Sequence, residues 1–492
     1  MISMNEQSSA VGAETPAMRS GFPNYFDKPF RVVQILVTIV AIGSLIGSSI
    51  VVVHPQRFIR LQGFSPLALG GAILAFFLAS ALWALAARVH RAHWWIFSFL
   101  ILARIGVFFL FGNASFPGAS DPSAYSLIAR NILMGKGILL DSFYDITTVK
   151  FWTLYPPLYP ILLSAIYEFF GANPFSIFFL NLFVQILAAF SLFRLCRELH
   201  GAKAGIAAAT IYLAWPVSIF SVIVAHKEDL AILLFSEVVL SFLRQRRGIA
   251  LKESMRLGIA AGLLALCQPA WVSSVAFLGI IPLVALGWSR TLRVAGTAVP
   301  FFAAILLPWI VRNYVLYGTF VPLTSSYGIS LLYVATNHFD ALNQYYLTHH
   351  ANELVGARAG WSMAIGVIHA HPAKYLLGRI VSLIYALCLE TSNEVVFGTF
   401  SHSSIFLHFV AYVTQIFYAG MVAAAAHAIW RNRQQRMAWP LLILAALLAQ
   451  MVVLGMWLEY GERHRYAITI LLMVCVAINS ASPRVRAAAS PA

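Results

Sequence analysis

Ser120-Asp121-Pro122-Ser123-Ala124-Tyr125-Ser126-Leu127-Ile128-Ala129-Arg130 opens a polar loop that runs on to Tyr155-Pro156-Pro157-Leu158-Tyr159-Pro160, in a chain otherwise made mostly of apolar runs. Asp121, Asp141 and Asp145 lie in this loop, followed by Lys150. The chain has only 18 Asp and Glu among its 492 residues, so three acids in one loop between apolar spans are conspicuous. Their placement points to chemistry at the boundary between water and lipid.

Composition sets the class. The chain is 60% hydrophobic and 10% charged, whereas a soluble domain carries roughly 25% charged residues. Most of it must therefore sit in hydrocarbon. The formal charge of +15 comes in short clusters between apolar runs, as in the cytoplasmic loops of membrane proteins, and not as a nucleic-acid-binding patch. Cys196, Cys267, Cys388 and Cys475 fall in or beside apolar segments without CxxC or CxxH pairing, which supports neither a disulfide framework nor a zinc site. His349-His350 and His369/His371 lack ligand spacing and read as solvated loop residues.

A helix needs about twenty apolar residues to cross the hydrocarbon. Candidate spans are 31–53, 66–87, 94–112, 174–196, 203–223, 229–243, 256–268, 270–288, 295–311, 403–428, 438–457 and 466–480. The basic clusters Arg194/Arg197/Lys203, Arg244/Arg246/Arg247/Lys252/Arg256, Arg290/Arg293 and Arg431/Arg433/Arg436 all belong in the cytoplasm. That parity makes 156–170, which is short and contains Pro160, an interfacial or re-entrant helix. It also keeps 361–391 on the outer side as surface-lying helices. The expectation is an all-α polytopic protein of about twelve spans, both ends cytoplasmic, with interfacial helices in its outer loops.

The expected division is a disordered cytoplasmic tail (1–30), N-terminal spans (31–112), a first outer loop (113–173), central spans (174–311), a second outer loop (312–402), C-terminal spans (403–480) and a short tail (481–492). The first thirty residues lack the basic start and early apolar core of a secretory signal. On this threading the outer face collects most of the acids, together with Lys150, Arg312, Arg463 and Arg465. Orientation rules alone allow acids there. Two places ask for more: Asp121, which starts a short helix with Tyr125 and Ala129 on one face, and His226-Lys227-Glu228-Asp229, a charged tetrad in a tight turn. Charge that close to hydrocarbon is costly unless paired, hydrated or used.

Several motifs in this order resemble the GT-C glycosyltransferases. Asp121, Tyr125, Ala129, Gly135 and Gly137 look like that superfamily's first outer loop. Tyr155-Pro156-Pro157-Leu158-Tyr159-Pro160 resembles the Pro-Pro-Leu element closing that loop in the protein O-mannosyltransferase and lipid A aminoarabinose transferase branch. Glu228/Asp229 resembles the second acidic site, Arg312-Asn313-Tyr314 with Gly318 to Pro322 the element after a middle span, and Glu462-Arg463-His464-Arg465-Tyr466 the terminal motif. The chain departs from the pattern at Pro122, where members often have an acid, and at Leu154-Tyr155, where the two branches have Glu-Lys or His. Neither acceptor can be assigned from it.

The resemblance implies a membrane glycosyltransferase, in the bacterial inner membrane, with its active site on the periplasmic side. It would take a sugar from a polyprenyl-phosphate-linked donor and pass it to a lipid, glycan or protein acceptor. Asp121 then fits the catalytic base, since a carboxylate near the sugar C1 can take the acceptor's proton. Lys150, Arg312, Arg463 and Arg465 are candidate partners of the departing phosphate, with membrane anchoring the other reading of the last two. Tyr125, Asp141, Asp145, Tyr155, Glu228 and Asp229 complete the candidate binding set. No metal ligand set is assigned, although a divalent cation such as Mg or Mn could sit at Glu228/Asp229. A transporter or lipid flippase is the rival from another class, favoured by Arg104 and by Glu237 within a span; it lacks a visible inverted repeat. A polysaccharide polymerase or ligase is the third reading.

The threading is directly testable. Cysteines placed at Gly118 or Asn343 should react with an impermeant reagent added outside, and those at Gly248 or Gln434 should stay protected. Labelling at 248 from outside would invert the topology.

Overall fold

The computed structural model describes residues 38, 90–111, 121–141, 143, 146, 149–245, 250–276, 278–279, 287–390, 404–431, 438–455 and 462–481. Apart from Thr38, the expected N-terminal tail and hairpin (1–87) lie outside these residues, as do Asp145 and 482–492. The described chain is helical, its extended pairings being two isolated bridges, Leu140–Phe151 and Phe143–Ile146. It is an all-α polytopic membrane protein. Among the described residues, Pro174–His200, Trp288–Tyr317, Tyr412–Arg431 and Arg463–Ala481 are long and apolar enough to cross a bilayer.

Several expected spans differ in extent, for local reasons. The run 203–223 is broken into Ala202–Ala214 and Pro216–Ser221. Pro216 pushes Trp215 out of the helical region, to φ −65° and ψ 120°. The run 295–311 grows into a 30-residue helix, Trp288–Tyr317, which stops only at Gly318 in the left-handed conformation. Arg312 therefore belongs to the end of a helix and not to a loop. Leu158–Phe170 has 13 residues, about 20 Å at 1.5 Å per residue, too short for roughly 30 Å of hydrocarbon.

Tyr466–Ala481 is buried on every face from Tyr466 to Ile478, as an all-round apolar helix should be. The helices around it approach closely where glycine permits. A Cβ on Gly205 would stand 2.6 Å from the Phe193 carbonyl oxygen, and one on Gly258 2.2 Å from that of Ala298. Small residues bring backbones together in this way inside membrane bundles.

The two segments expected as outer loops form one cap. Ala124, Ile128, Phe151 and Leu154 from the first share an apolar cluster with Ile329, Leu332, Leu342 and Tyr346 from the second. At its edge the buried Glu353 carboxylate accepts from the Trp152 amide at 2.7 Å, from the Thr153 amide and hydroxyl, and from the Tyr317 and Ser325 hydroxyls. Five donors on one carboxylate satisfy a charge that burial would otherwise penalise.

A second buried charge ties the cap to the bundle. Arg465 pairs with Glu390 at 2.6 Å, both side chains at 0% exposure. It donates to the Ala386 and Leu389 carbonyls and lies 3.9 Å over the Tyr418 ring. Removing one partner of such a pair costs about 3–5 kcal/mol, whereas replacing both by apolar groups is often neutral. Arg465→Met should therefore lower the thermal unfolding midpoint in detergent sharply, and adding Glu390→Leu should recover most of the loss. No recovery in the double variant would show that the pairing does not carry the effect.

Candidate active site

Asp121 opens the helix Asp121–Leu133, with Pro122 in the first turn, where a missing N–H costs nothing. The helical repeat brings Tyr125 and Ala129 onto the same face. The Asp121 carboxylate forms a direct ion pair with Arg463, and its Oδ1 accepts a hydrogen bond from the Tyr155 hydroxyl at 2.7 Å. Both side chains stay partly exposed, Asp121 at 22% and Arg463 at 30%. Burial pushes the Asp121 carboxyl up. The charges of Arg463 and Lys227, with the hydrogen bonds from Tyr155 and Arg463, outweigh it and hold the carboxyl well below the usual carboxylate range.

Tyr125 is buried at 1% exposure, edge-on to Tyr155 at 5.1 Å and to Tyr159 at 5.6 Å. Its hydroxyl has no hydrogen-bond partner among the described residues. The Lys227 ammonium lies 5.6 Å over its ring. Beside it, Glu228 Oε2 stands 2.9 Å from His226 Nδ1. That contact is a proximity of charge-bearing groups and not a directed hydrogen bond, since neither Glu228 oxygen gains a donor.

The turn that presents these residues is braced from below. Asn181 Nδ2 donates to the carbonyls of Ser221, Val222 and Val224, and its Oδ1 accepts from Tyr159 at 2.9 Å. Asp229 turns into this brace and away from Asp121. It accepts from Tyr212 at 2.7 Å, Gln185 at 2.8 Å and Ser221 at 2.9 Å. Gln185 in turn accepts from Arg104 Nε at 2.6 Å, and Arg104 also donates to Ser218 at 2.7 Å and to the Leu100 carbonyl at 2.9 Å.

Of the residues expected at the site, the fold brings together Asp121, Tyr125, Tyr155, Glu228 and Arg463. It separates others. Asp229 does not share an ion-binding position with Glu228, and no group of three or more His, Cys, Asp or Glu among the described residues could hold a metal ion. Arg312 spends its guanidinium on the Trp152 and Ile138 carbonyls, at 3.0 and 3.1 Å, and stacks on Trp309; it anchors the loop. Arg465 is consumed by Glu390. Asp141 is exposed and accepts only a long 3.4 Å contact from Asn131. Lys150 is exposed, with no ion pair among the described residues. Lys227 and Glu353 were not among the expected site residues. The tetrad flagged the first; nothing local marks the second.

No family model matches the chain, and no curated protein matches it. Among solved structures it is similar to the oligosaccharyltransferase AglB from Archaeoglobus fulgidus in complex with an inhibitory peptide and a dolichol-phosphate, at TM-score 0.47 and 16% identity over 79% of this chain and 50% of that one. It is also similar to ArnT from Cupriavidus metallidurans bound to undecaprenyl phosphate, at TM-score 0.40 and 16% identity over 78% of this chain and 77% of that one. The chain spans half the length of the oligosaccharyltransferase. At these scores the likeness transfers no residue role, and the roles below rest on this chain's own contacts.

The electrostatics of Asp121 give a pH test. In the wild type its folded carboxyl lies below the unfolded value of about 4, so its stabilisation is fully present above that pH and is lost only below it, as pH falls through the lower folded value. In Arg463→Met burial is less opposed, which moves the carboxyl upward, and ionised Asp121 costs stability at neutral pH. The difference in melting midpoint between the two proteins should be largest at pH 7 and shrink toward pH 4. A difference independent of pH would detach Arg463 from the ionisation of Asp121.

Proposed function

We propose that this chain is a membrane glycosyltransferase that moves a sugar from a polyprenyl-phosphate-linked donor to a lipid, glycan or protein acceptor on the non-cytoplasmic face, with Asp121 as the base. The observation that carries the reading is the convergence on one half-open carboxylate of groups from four distant stretches: Asp121, Tyr155, the Lys227–Glu228 turn and Arg463. Such a site has a base, cations and aromatic rings together at the start of an outer helix.

In the transfer, the acceptor's nucleophilic atom bonds to the sugar C1. The bond from C1 to the donor phosphate oxygen breaks, and its electron pair stays on the phosphate. The acceptor's proton passes to Asp121. A carboxylate held by Arg463 is a weak base, so the step requires Arg463 to turn part of its charge toward the phosphate. That shift strengthens the base and offsets the charge growing on the leaving group together. Tyr155 keeps Asp121 oriented as the guanidinium moves. The periplasmic face of a bacterial inner membrane fits the threading by basic loops.

The transporter reading has one observation in its favour, the buried Arg104–Gln185–Asp229 network inside the bundle. Each polar side chain in it already has protein partners, so it is better read as the brace beneath the turn.

The deciding assay is sugar transfer from a polyprenyl-phosphate donor in reconstituted membranes. Asp121→Asn keeps the shape and removes the base, so turnover should fall about a hundredfold or more while the protein still folds. Near-normal transfer by folded Asp121→Asn would move the base to Glu228.

A further inference from the structure

Lys227 is 9% exposed, its ammonium stands over the Tyr125 ring, and its charge faces the Glu228 and Asp121 carboxylates. Burial penalises that charge, and the two carboxylates offset part of the penalty. Most of the other cations considered for the donor phosphate are either engaged or remote from the cluster. Arg312 holds two backbone carbonyls, Arg465 is locked to Glu390 and Lys150 is out in solvent, which leaves Arg463, shared with Asp121, as the other cation at the site. The Lys227 backbone is fixed: its carbonyl accepts the first bond of helix Glu228–Arg244, from the Ala231 amide at 2.9 Å, and meets the Cys267 thiol. Its ammonium lies over the Tyr125 ring, one helical turn from Asp121. The unpartnered Tyr125 hydroxyl is a second donor in the same place.

Resting on the glycosyltransferase reading above, we propose that Lys227, with Tyr125 beneath it, is the binding site for the phosphate of the lipid-linked donor. The phosphate arrives as a diester with one negative charge and leaves as a monoester with up to two. An ammonium beside it is therefore worth more after the C1–O bond breaks than before. This would make Lys227 a binding residue that also favours departure of the polyprenyl phosphate. The ligand class is an anionic phosphate ester on a long apolar chain, and the tetrad's place at the head of a bundle helix lets that chain lie in the bilayer.

The test measures binding of decaprenyl phosphate to the purified full chain in detergent, with decaprenol as the uncharged control. Wild type should prefer the phosphate over the alcohol. Lys227→Met should weaken phosphate binding about tenfold or more, the usual scale for a charged hydrogen bond, and leave alcohol binding unchanged. Lys227→Arg should restore binding to within a few-fold. The melting of ligand-free Lys227→Met is followed alongside, since Lys227 also offsets the Asp121 and Glu228 charges; a variant that still melts cooperatively is a valid comparison. If wild type binds the phosphate and Lys227→Met binds it equally, the Lys227 assignment fails and the wider reading stands. If wild type does not distinguish phosphate from alcohol, the lipid-phosphate reading itself fails. Should Lys227→Met not fold, Lys227→Gln makes the same comparison; failure of both to fold would make the ammonium structural and overturn the proposal.

Discussion

Asp121 and Arg463 stand 342 residues apart in the chain, and their ion pair joins helix Asp121–Leu133 to the start of the last helix. Everything the site contains is arranged around that contact. Tyr155 reaches it from the far end of the first outer loop, and Lys227 and Glu228 approach from a turn between bundle helices. For the pair to form, the turn must be rigid and the cap must be seated. The Asn181 and Asp229 brace supplies the first condition. The Glu353 cluster and the Arg312 clamp supply the second, because both grip the backbone at Trp152 and so fix Tyr155 three residues on.

The cost of burying charge explains why these parts are separate. Glu353 is neutralised by hydrogen-bond donors, Arg465 by a carboxylate, carbonyls and a ring, and Asp229 by a hydroxyl and amide network reaching Arg104. Further along helix Glu228–Arg244, Glu237 is met by Arg256 at 2.6 Å and Arg194 at 3.2 Å. Each satisfied cluster behaves as a joint. Against that background the buried groups short of hydrogen bonds, Glu228 and the Tyr125 hydroxyl, lie beside Asp121. Polar groups left short of partners in a low-dielectric place are costly to stability, and here they coincide with the half-open carboxylate.

The helical class and the placing of Asp121, Tyr155 and Arg463 were legible in the chain, through apolar run length, the rarity of acids and the order of the motifs. What could not be read was direction. Glu228 and Asp229 are neighbours on a helix, about 100° apart around its axis at 3.6 residues per turn; one faces the site and the other faces Gln185 and Tyr212. Arg463 and Arg465 sit in a 3₁₀ turn, Glu462–Arg465, where positions two apart point about 120° away from each other at three residues per turn. One reaches Asp121 and the other goes inward to Glu390. Arg312 was placed in a loop because the apolar run ends at 311, whereas the helix runs on to Tyr317. Glu353 has no local signal, since the Trp152 and Thr153 amides it holds are 201 and 200 residues away.

The same directional logic bears on the weak basicity of Asp121. A base meant to act only when substrate is present gains from being held by a cation that substrate can draw away. With Arg463 on Asp121 the carboxylate is ionised, oriented and a poor proton acceptor, so water beside an empty site meets little catalytic power. A phosphate that settles near Lys227 adds negative charge close to Arg463 and competes for it. As that guanidinium is shared, burial again raises the Asp121 carboxyl toward the range in which it can take a proton. In the proposed transfer, base strength and leaving-group stabilisation are then set by one cation moving between two anions, which couples proton removal to arrival of the donor.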